Sequence, residues 1–471
     1  MASIALRKKS NIDMTQGGIA SNLLKFALPL LFGNLFQQLY NMVDTYVIGQ
    51  TNNNSAYAAV GSVGPIINIL LGFFLGLSSG AGVVISQYYG AKDEEKVKKS
   101  THTAIAMTLI MSVLFTALGI IFAPKLVTLM LKGDSQSELY KFATQYLTIY
   151  FSGVAGLMIY NIGAGILRAI GDSKRPVYFL IFSACTNTVL DIVFVFAFNM
   201  DVAGVALATV ISQVASAVLV VTTLAQSDTW VRLSPKELKI DKGILSKIVK
   251  IGVPAGFQMA LTAFSNIFVQ SYVGGANVPV GMSAADSKSL YLGSWTTYSK
   301  VDALLFLPMQ SLAVAGTTFV GQNLGAGNVK RAKKGAYVCY AITTACTFVL
   351  MLPILIFAPA IASVFNSDTQ VVANAAMLLR NITPFYLLCC VNQILSGALR
   401  GAGKTTAPMI IMLTTFVGVR QAYLYVMSSF ISNEFLHIAL GYPLGWACCA
   451  ALTLVYFLKC DFSKCNITKK A

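Results

Sequence analysis

Charge is what this sequence has least of. Asp, Glu, Lys and Arg make up 11% of its 471 residues, against about a quarter in soluble domains, and a mean hydropathy of +0.69 excludes a soluble globular protein. Histidine is nearly missing: His102 and His437 are the only two, both near the ends of predicted helices, and neither is assigned a proton relay. The nine cysteines include the adjacent pairs Cys389-Cys390 and Cys448-Cys449 but no CxxC. Nearly all fall in apolar stretches, so they read as packing residues rather than disulfide partners or metal ligands. The sequence also lacks a clustered nucleophile, a metal-ligand group and a ring of pore-lining residues, which argues against an enzyme or a channel. GAGKTT at Gly401 to Thr406 is not a phosphate loop, since the pattern needs glycine where Ala398 stands and the segment follows an apolar helix rather than a strand. No ATP binding and no cofactor are expected.

What the sequence has in abundance is long apolar runs, each able to cross a hydrocarbon core of roughly 30 Å. Twelve are placed near 21-48, 56-84, 101-123, 139-166, 175-198, 202-226, 246-273, 288-318, 335-358, 371-398, 405-431 and 437-459. The expected fold is therefore an all-α membrane protein of twelve transmembrane helices. The net charge of +16 would suit nucleic acid if it were clustered on a domain. Instead most of the 34 Lys and Arg fall in the N-terminus (Arg7 to Lys9), the even-numbered inter-helix loops or the C-terminal tail. Lys125, Lys132, Lys141 and Lys288 fall in the odd loops, while Lys25, Lys300, Arg380 and Arg420 lie in or at the ends of apolar segments. By the positive-inside rule both termini are cytoplasmic, and the basic balance reports topology, with no nucleic-acid partner. The apolar run after Lys9 is too long for a signal peptide and has no small-residue cleavage site, so the first helix is retained.

The chain repeats itself. QYYGAKDEEKVKKS around Gln87 returns as QNLGAGNVKRAKKG around Gln322; GILRAIGDSKRP with Arg168 returns as GALRGAGKTTAP with Arg400; KFALP ending at Pro29 returns as KIGVP ending at Pro254. Three matches in one order define two pseudo-symmetric six-helix lobes of equal orientation, related by an axis along the membrane normal. The expected division is a cytoplasmic N-terminus 1-20, an N-terminal lobe 21-226, a cytoplasmic linker 227-245, a C-terminal lobe 246-459 and a cytoplasmic tail 460-471. A cavity between two rocking lobes is a transporter's geometry.

The repeats differ in their acids. Helix 1 carries Gln37, Tyr40, Asn41 and Asp44 on one face, and helix 5 carries Ser183, Asn187 and Asp191, at spacings of three and four. A carboxylate at membrane depth is costly unless it is paired or protonated, and it normally faces an interior path; the competing reading is an inert, hydrated position near the surface. With Thr209 on helix 6, these groups are expected roughly 7 to 12 Å beneath the outer surface, close enough to meet. Such an all-oxygen set suits a proton or Na⁺ and not zinc, so Na⁺ at Asp44, Asn187, Asp191 and Thr209 is the one metal considered. Pro29 within helix 1 is a hinge or a fixed kink. In the second lobe the partner of Asp44 is Val269. Lys300 and Asp302, two apart on helix 8, point to different faces, and with Asn161 and Arg420 they join Gln37 and Asn41 as substrate-cavity candidates. Arg168 and Arg400 read as helix C-terminal charges that complement the dipole.

LPLLFGNLFQQLYNMVDTYVIG in helix 1, the duplicated QxxGA loops and the LRAxGDxxxP-type turn resemble the multidrug and toxic compound extrusion (MATE) transporters over nearly the whole chain. The resemblance implies a V-shaped pair of lobes and efflux, by a secondary active antiporter in the cell membrane, of amphipathic and often cationic organic compounds in exchange for inward H⁺ or Na⁺. It implies a first-lobe coupling site at Asp44, Asn187, Asp191 and Thr209, with Tyr40 one turn before the acid and Pro29 at the bend. The second-lobe cation site of other members would fall near Thr262 and Cys389 and so looks missing. The partners expected are small organic molecules and lipid, and the protein is expected to be monomeric. The alternative is a flippase of a lipid-linked or amphipathic substrate from the same superfamily, which Lys300 and Arg420 keep open.

Overall fold

The computed structural model describes residues 11–49, 54–130 and 137–468, except for the side chains of residues 41, 42, 44–46, 48, 49, 54–58 and 130. The expected roles of Asn41 and Asp44 rest on side chains outside that set, as do Arg7 to Lys9 and Lys132.

Apolar sequence in a chain this long must satisfy its backbone internally, and it does so by helices alone among the described residues. The first six are α1 (Ile19–Gly49), α2 (Asn54–Gly90), α3 (Glu94–Met130), the broken α4 (Glu138–Ser152 and Val154–Ala169), α5 (Lys174–Ala197) and α6 (Asp201–Ala225). The second six are α7 (Lys242–Gly274), α8 (Ala284–Gly325), α9 (Val329–Ile356), α10 (Thr369–Gly401), α11 (Thr406–Ile431) and α12 (Phe435–Lys459). Eleven of these are continuous and long enough to span a membrane, and α4, bent by 48° at its break, makes the twelfth. Gly153 sits at that break, where a Cβ would come within 2.4 Å of Val210.

Asp241, Ser283 and Asp368 cap α7, α8 and α10 by accepting backbone N–H groups of their first turns, fixing where each helix starts. One expectation about boundaries shifts. Gln87 and Gln322, read from sequence as loop residues, lie in the last turns of α2 and α8, and Lys98 and Lys99 lie near the start of α3. Helical hydrogen bonding continues past the apolar run until Gly90 and Gly325, where the chain turns.

The bundles α1–α6 and α7–α12 meet through α2 against α7, α1 against α8 and α2 against α8. On the first seam the backbones nearly touch: a Cβ on Gly76 would lie 2.0 Å from the nitrogen of Gly256, and one on Gly80 2.5 Å from the Cα of Gly252. The second seam is spaced by side chains, with Asn34 of α1 donating to Ser311 of α8 at 3.2 Å. The close glycine contacts lie between Gly72 and the end of the molecule that carries both termini. Toward the far end, a Cβ on Gly61 or Gly64 would meet nothing within 4 Å, so that face of α2 borders open space.

The termini end is closed by a pair of matching clasps. Gln87 donates to the carbonyl of Gly401 at 3.0 Å and accepts from the backbone N–H of Ile467 at 2.9 Å. Gln322 donates to the carbonyl of Ala169 at 2.8 Å and accepts from the N–H of Met14 at 3.1 Å. Both glutamines are fully buried. Between them a Cβ on Gly90 would fall 1.9 Å from the carbonyl oxygen of Gln322, and one on Gly325 1.9 Å from that of Gln87. The two N- and C-terminal segments are thus part of the seal: Asn323 donates to Met14, and Lys247 to the carbonyl of Ile467.

Candidate functional site

A helix that is apolar on most of its surface can place polar side chains only where another helix covers them. On α5 these are Ser183, Asn187 and Asp191, which are 9%, 1% and 0% exposed. The covering helices are α1 and α6, and Ser183 ties α5 to α6 by donating to the carbonyl of Ser212 at 2.9 Å. Full burial decides between the two sequence readings of Asp191: it faces the bundle interior rather than a hydrated surface. Directly after it, Val193–Ala197 widens into a π turn, a departure from regular α geometry that recurs at functional positions.

The remaining candidates fall around this face to different degrees. Thr209 on α6 is partly buried and donates to the carbonyl of Val205 one turn back. Tyr40 and Gln37 on α1 are partly buried, on the helix that covers α5, and Pro29 lies inside the same helix without interrupting it. Asn161 is buried on α4, with its amide nitrogen committed to the carbonyl of Leu157 at 2.9 Å. Arg168 and Arg400 occupy last turns of their helices, as expected of dipole-complementing charges.

In the second bundle the two sequence candidates on α8 part company. Lys300 is exposed, its ammonium 5.8 Å from the ring centre of Phe365, whereas Asp302 turns into the bundle. There Tyr386 of α10 donates to the Asp302 carboxylate, Tyr298 of α8 lies 3.4 Å from the same oxygen, and the two hydroxyls are 3.1 Å apart. Arg420 of α11 is 1% exposed and stands between the rings of Phe416 and Tyr442, 4.4 Å from each centre. It donates to Asn266 of α7 at 3.1 Å, and Tyr442 donates to the same amide oxygen at 3.0 Å. Thr262 and Cys389 carry no carboxylate; Thr262 bonds the carbonyl of Gln258 on its own helix and Cys389 is buried. The tyrosine partners were not anticipated from sequence. Tyr298 had a readable signal, since it precedes Asp302 by four on one helix face; Tyr386 had none, being brought there by the packing of α10 on α8.

Two related six-helix bundles, sealed together at the termini end and carrying acids in their interiors, make up the fold of a membrane transporter. The chain belongs to the MatE family, whose model matches residues 29–193 and 254–426, once in each bundle. It is 30% identical over 443 residues to the probable multidrug resistance protein YoeA of Bacillus subtilis (strain 168), covering 92% of this chain and 91% of that one. The probable multidrug resistance protein YpnP of the same organism is 28% identical, over 93% of this chain and 95% of its own. Among solved structures, a MATE protein in complex with MaL6 superposes with a TM-score of 0.87 at 20% identity, covering 94% of this chain and 97% of that one. An outward-facing multidrug resistance MATE family transporter of the MOP superfamily gives 0.87 at 21% identity, covering 96% and 97%.

Proposed function

We propose that this chain is a multidrug exporter of the cell membrane, working as a monomer, that moves amphipathic organic cations outward in exchange for inward H⁺ or Na⁺. The observation that carries this reading is the fully buried Asp191, with Asn187 one turn before it, on the face of α5 that α1 and α6 cover. Asp44, Asn187, Asp191 and Thr209 hold the incoming ion, with Tyr40 beside them. The relatives named for multidrug resistance support export, and the excess of Lys and Arg at the termini end supports a cytoplasmic position for that end. The open space beside Gly61 and Gly64 then faces outward.

In that state the first-bundle carboxylates take up the ion. Neutralising them removes the reason for α1 to stand away from the apolar part of α5, and α1 bends at Pro29, where one helical hydrogen bond is already missing. The bend narrows the cavity and expels the organic cation. Once the clasps at Gln87 and Gln322 release and the termini side opens, the ion leaves and substrate enters. A potential of 100 mV supplies about 2.3 kcal/mol per charge and one pH unit about 1.4 kcal/mol, so an electroneutral exchange of one cation for one proton draws on the pH term alone. Proteoliposomes given a pH gradient or a Na⁺ gradient separately test the assignment. Uptake of a fluorescent organic cation should follow one of the two and be lost in Asp191→Asn; uptake that ignores both gradients overturns it.

A further inference from the structure

Two of the nine cysteines lie outside the apolar runs, and both stand in the short segment that follows α12. Cys460 ends that helix and is partly buried; Cys465 closes the 3-10 turn Phe462–Cys465 and is 3% exposed. Their sulfurs are 4.0 Å apart, and the Cys465 thiol donates to the carbonyl of Asp461 at 3.3 Å. Phe462 anchors the turn by packing edge-on against Phe457 of α12, while Asp461 caps it by accepting from the backbone N–H of Ser463 at 3.0 Å. Intracellular thiols are kept reduced, and the disulfides that do form there are usually transient and catalytic or redox-sensing.

The segment that carries the pair is the one that Gln87 grips. Besides donating to Gly401, the Gln87 amide donates to the carbonyl of Cys465 at 3.4 Å, and it accepts from Ile467, two residues beyond. Asn466 between them donates to the carbonyl of Leu324 on α8 at 2.8 Å, so the segment belongs to the second bundle and faces the first across the seal. The matching N-terminal segment, residues 11–18, has no cysteine. It is held by Gln322, Asn323 and Arg331, the last donating to the carbonyls of Gln16 and Gly17 at 2.9 and 2.8 Å. Of the two clasps, one carries thiols.

The two thiols differ in access. Burial, and then the neighbouring Cys460 sulfur, hold the Cys465 thiol above its ordinary value of 9.0, so an oxidant meets the more open Cys460 first. With a disulfide oxidant such as oxidised glutathione, the Cys460 thiolate attacks one sulfur, the glutathione S–S bond breaks and one glutathione thiol leaves. Cys465 then attacks the Cys460 sulfur of the mixed disulfide, and the second glutathione leaves. Two cysteine thiols lose two electrons and two protons, the oxidant takes both up as two thiols, and a bond joins Cys460 to Cys465. That bond closes a ring around Asp461 to Lys464. It fixes the turn in the shape that presents the Cys465 carbonyl and the Ile467 N–H to Gln87, and a surface held in its bound shape binds more tightly.

We propose that Cys460 and Cys465 are a modification site, oxidised reversibly to a disulfide that locks the C-terminal half of the seal and slows the transporter's return to the state open at the termini end. The inference rests on the reading of that end as the cytoplasmic side of an antiporter. The test uses the full chain, oxidised glutathione as the oxidant and ethidium as the probe cation. In the treated parent, mass spectrometry should find the peptide carrying Cys460 and Cys465 lighter by two hydrogens, with no glutathione attached. Trypsin cleavage after Lys464, scored after reduction, should slow about fivefold in the oxidised chain. Oxidation before reconstitution should lower ethidium transport in proteoliposomes about fivefold, and dithiothreitol should restore it. Cys460→Ser should transport as the untreated parent does and ignore the oxidant. Gln87→Ala should still form the disulfide yet lose the inhibition, because the lock acts through that side chain. A parent that forms no linked peptide, or forms it with cleavage or transport unchanged, overturns the proposal. So does inhibition that survives Cys460→Ser or Gln87→Ala. Failure of the antiport reading looks different: ethidium then moves under neither gradient in the untreated parent, while the linked peptide and the slowed cleavage still decide the thiol pair.

Discussion

Gln87 and Gln322 make the same two kinds of hydrogen bond, each donating to the last carbonyl of a helix in the other bundle, α10 or α4, and each holding one terminal segment. The acids on the inner helix faces show no such match: the buried Asp191 belongs to α5, the fifth helix of the first bundle, and the partly buried Asp302 to α8, the second helix of the second. The seams differ as well, since α2 and α7 meet glycine on glycine, whereas α1 and α8 are held apart by side chains such as Asn34 and Ser311. A gate that closes on a two-fold axis works only if both halves keep the same donors and acceptors. A coupling site, which the proposed function places in the first bundle alone, obeys no such constraint. The tight seam joins α2 to α7, and the looser one lies beside α1, the helix with Pro29 and the expected coupling acid Asp44.

That contrast can be broken experimentally. The largest effect is expected at the glycine seam: Gly76→Val drives a side chain into the backbone of Gly256 and should destabilise the protein by more than about 3 kcal/mol, seen as a drop in thermal unfolding temperature in detergent. Ser311→Val on the looser seam should cost about 1 kcal/mol. Equal effects would mean the seams are mechanically alike. Next come the clasps. Gln87→Ala and Gln322→Ala each forfeit at least two buried hydrogen bonds, about 2 kcal/mol, and should shift the population away from the state sealed at the termini end by roughly 30-fold, read as labelling of cysteines placed under the seal. The two shifts should agree, and a large difference would show the gate is not symmetric. Asn187→Ala, which has no counterpart in the second bundle, should lower coupled transport about tenfold while leaving thermal stability within about 1 kcal/mol of the parent.

The smallest effect concerns the linker that joins the bundles. The hydrogen bond from Lys98 of α3 holds the exposed Glu237 carboxyl below its ordinary value of 4.5. A depressed carboxyl stabilises the fold above its unfolded value and loses that contribution as pH falls through the folded one. Glu237→Gln should therefore melt slightly below the parent at pH 7, with the gap closing below about pH 4.

Much of this architecture was legible in the residues. Twelve apolar runs, three duplicated motifs and the placement of Lys and Arg are properties of composition and order, and each run corresponds to one helix of the fold. The stripe Ser183, Asn187, Asp191 was readable because helical spacing puts those residues on one face, and burial of that face follows from the cost of exposing an acid to lipid. What escaped was anything decided by a neighbour distant in sequence. Gln87 and Gln322 stand out as repeats, but their partners Gly401, Ile467, Ala169 and Met14 come from other helices and both tails. Asp302 was readable as a cavity candidate but its partner Tyr386 was not, because that hydroxyl reaches the carboxylate only after α10 packs against α8.

The central claim is that ions enter through the first bundle. Ethidium transport in proteoliposomes, driven in turn by a pH gradient and by a Na⁺ gradient, tests it most directly when parent, Asp44→Asn and Asp191→Asn are compared side by side. The account predicts that one gradient drives the parent and that both variants lose at least tenfold of that driven component. Variants that pump as the parent does under the same gradient would contradict it.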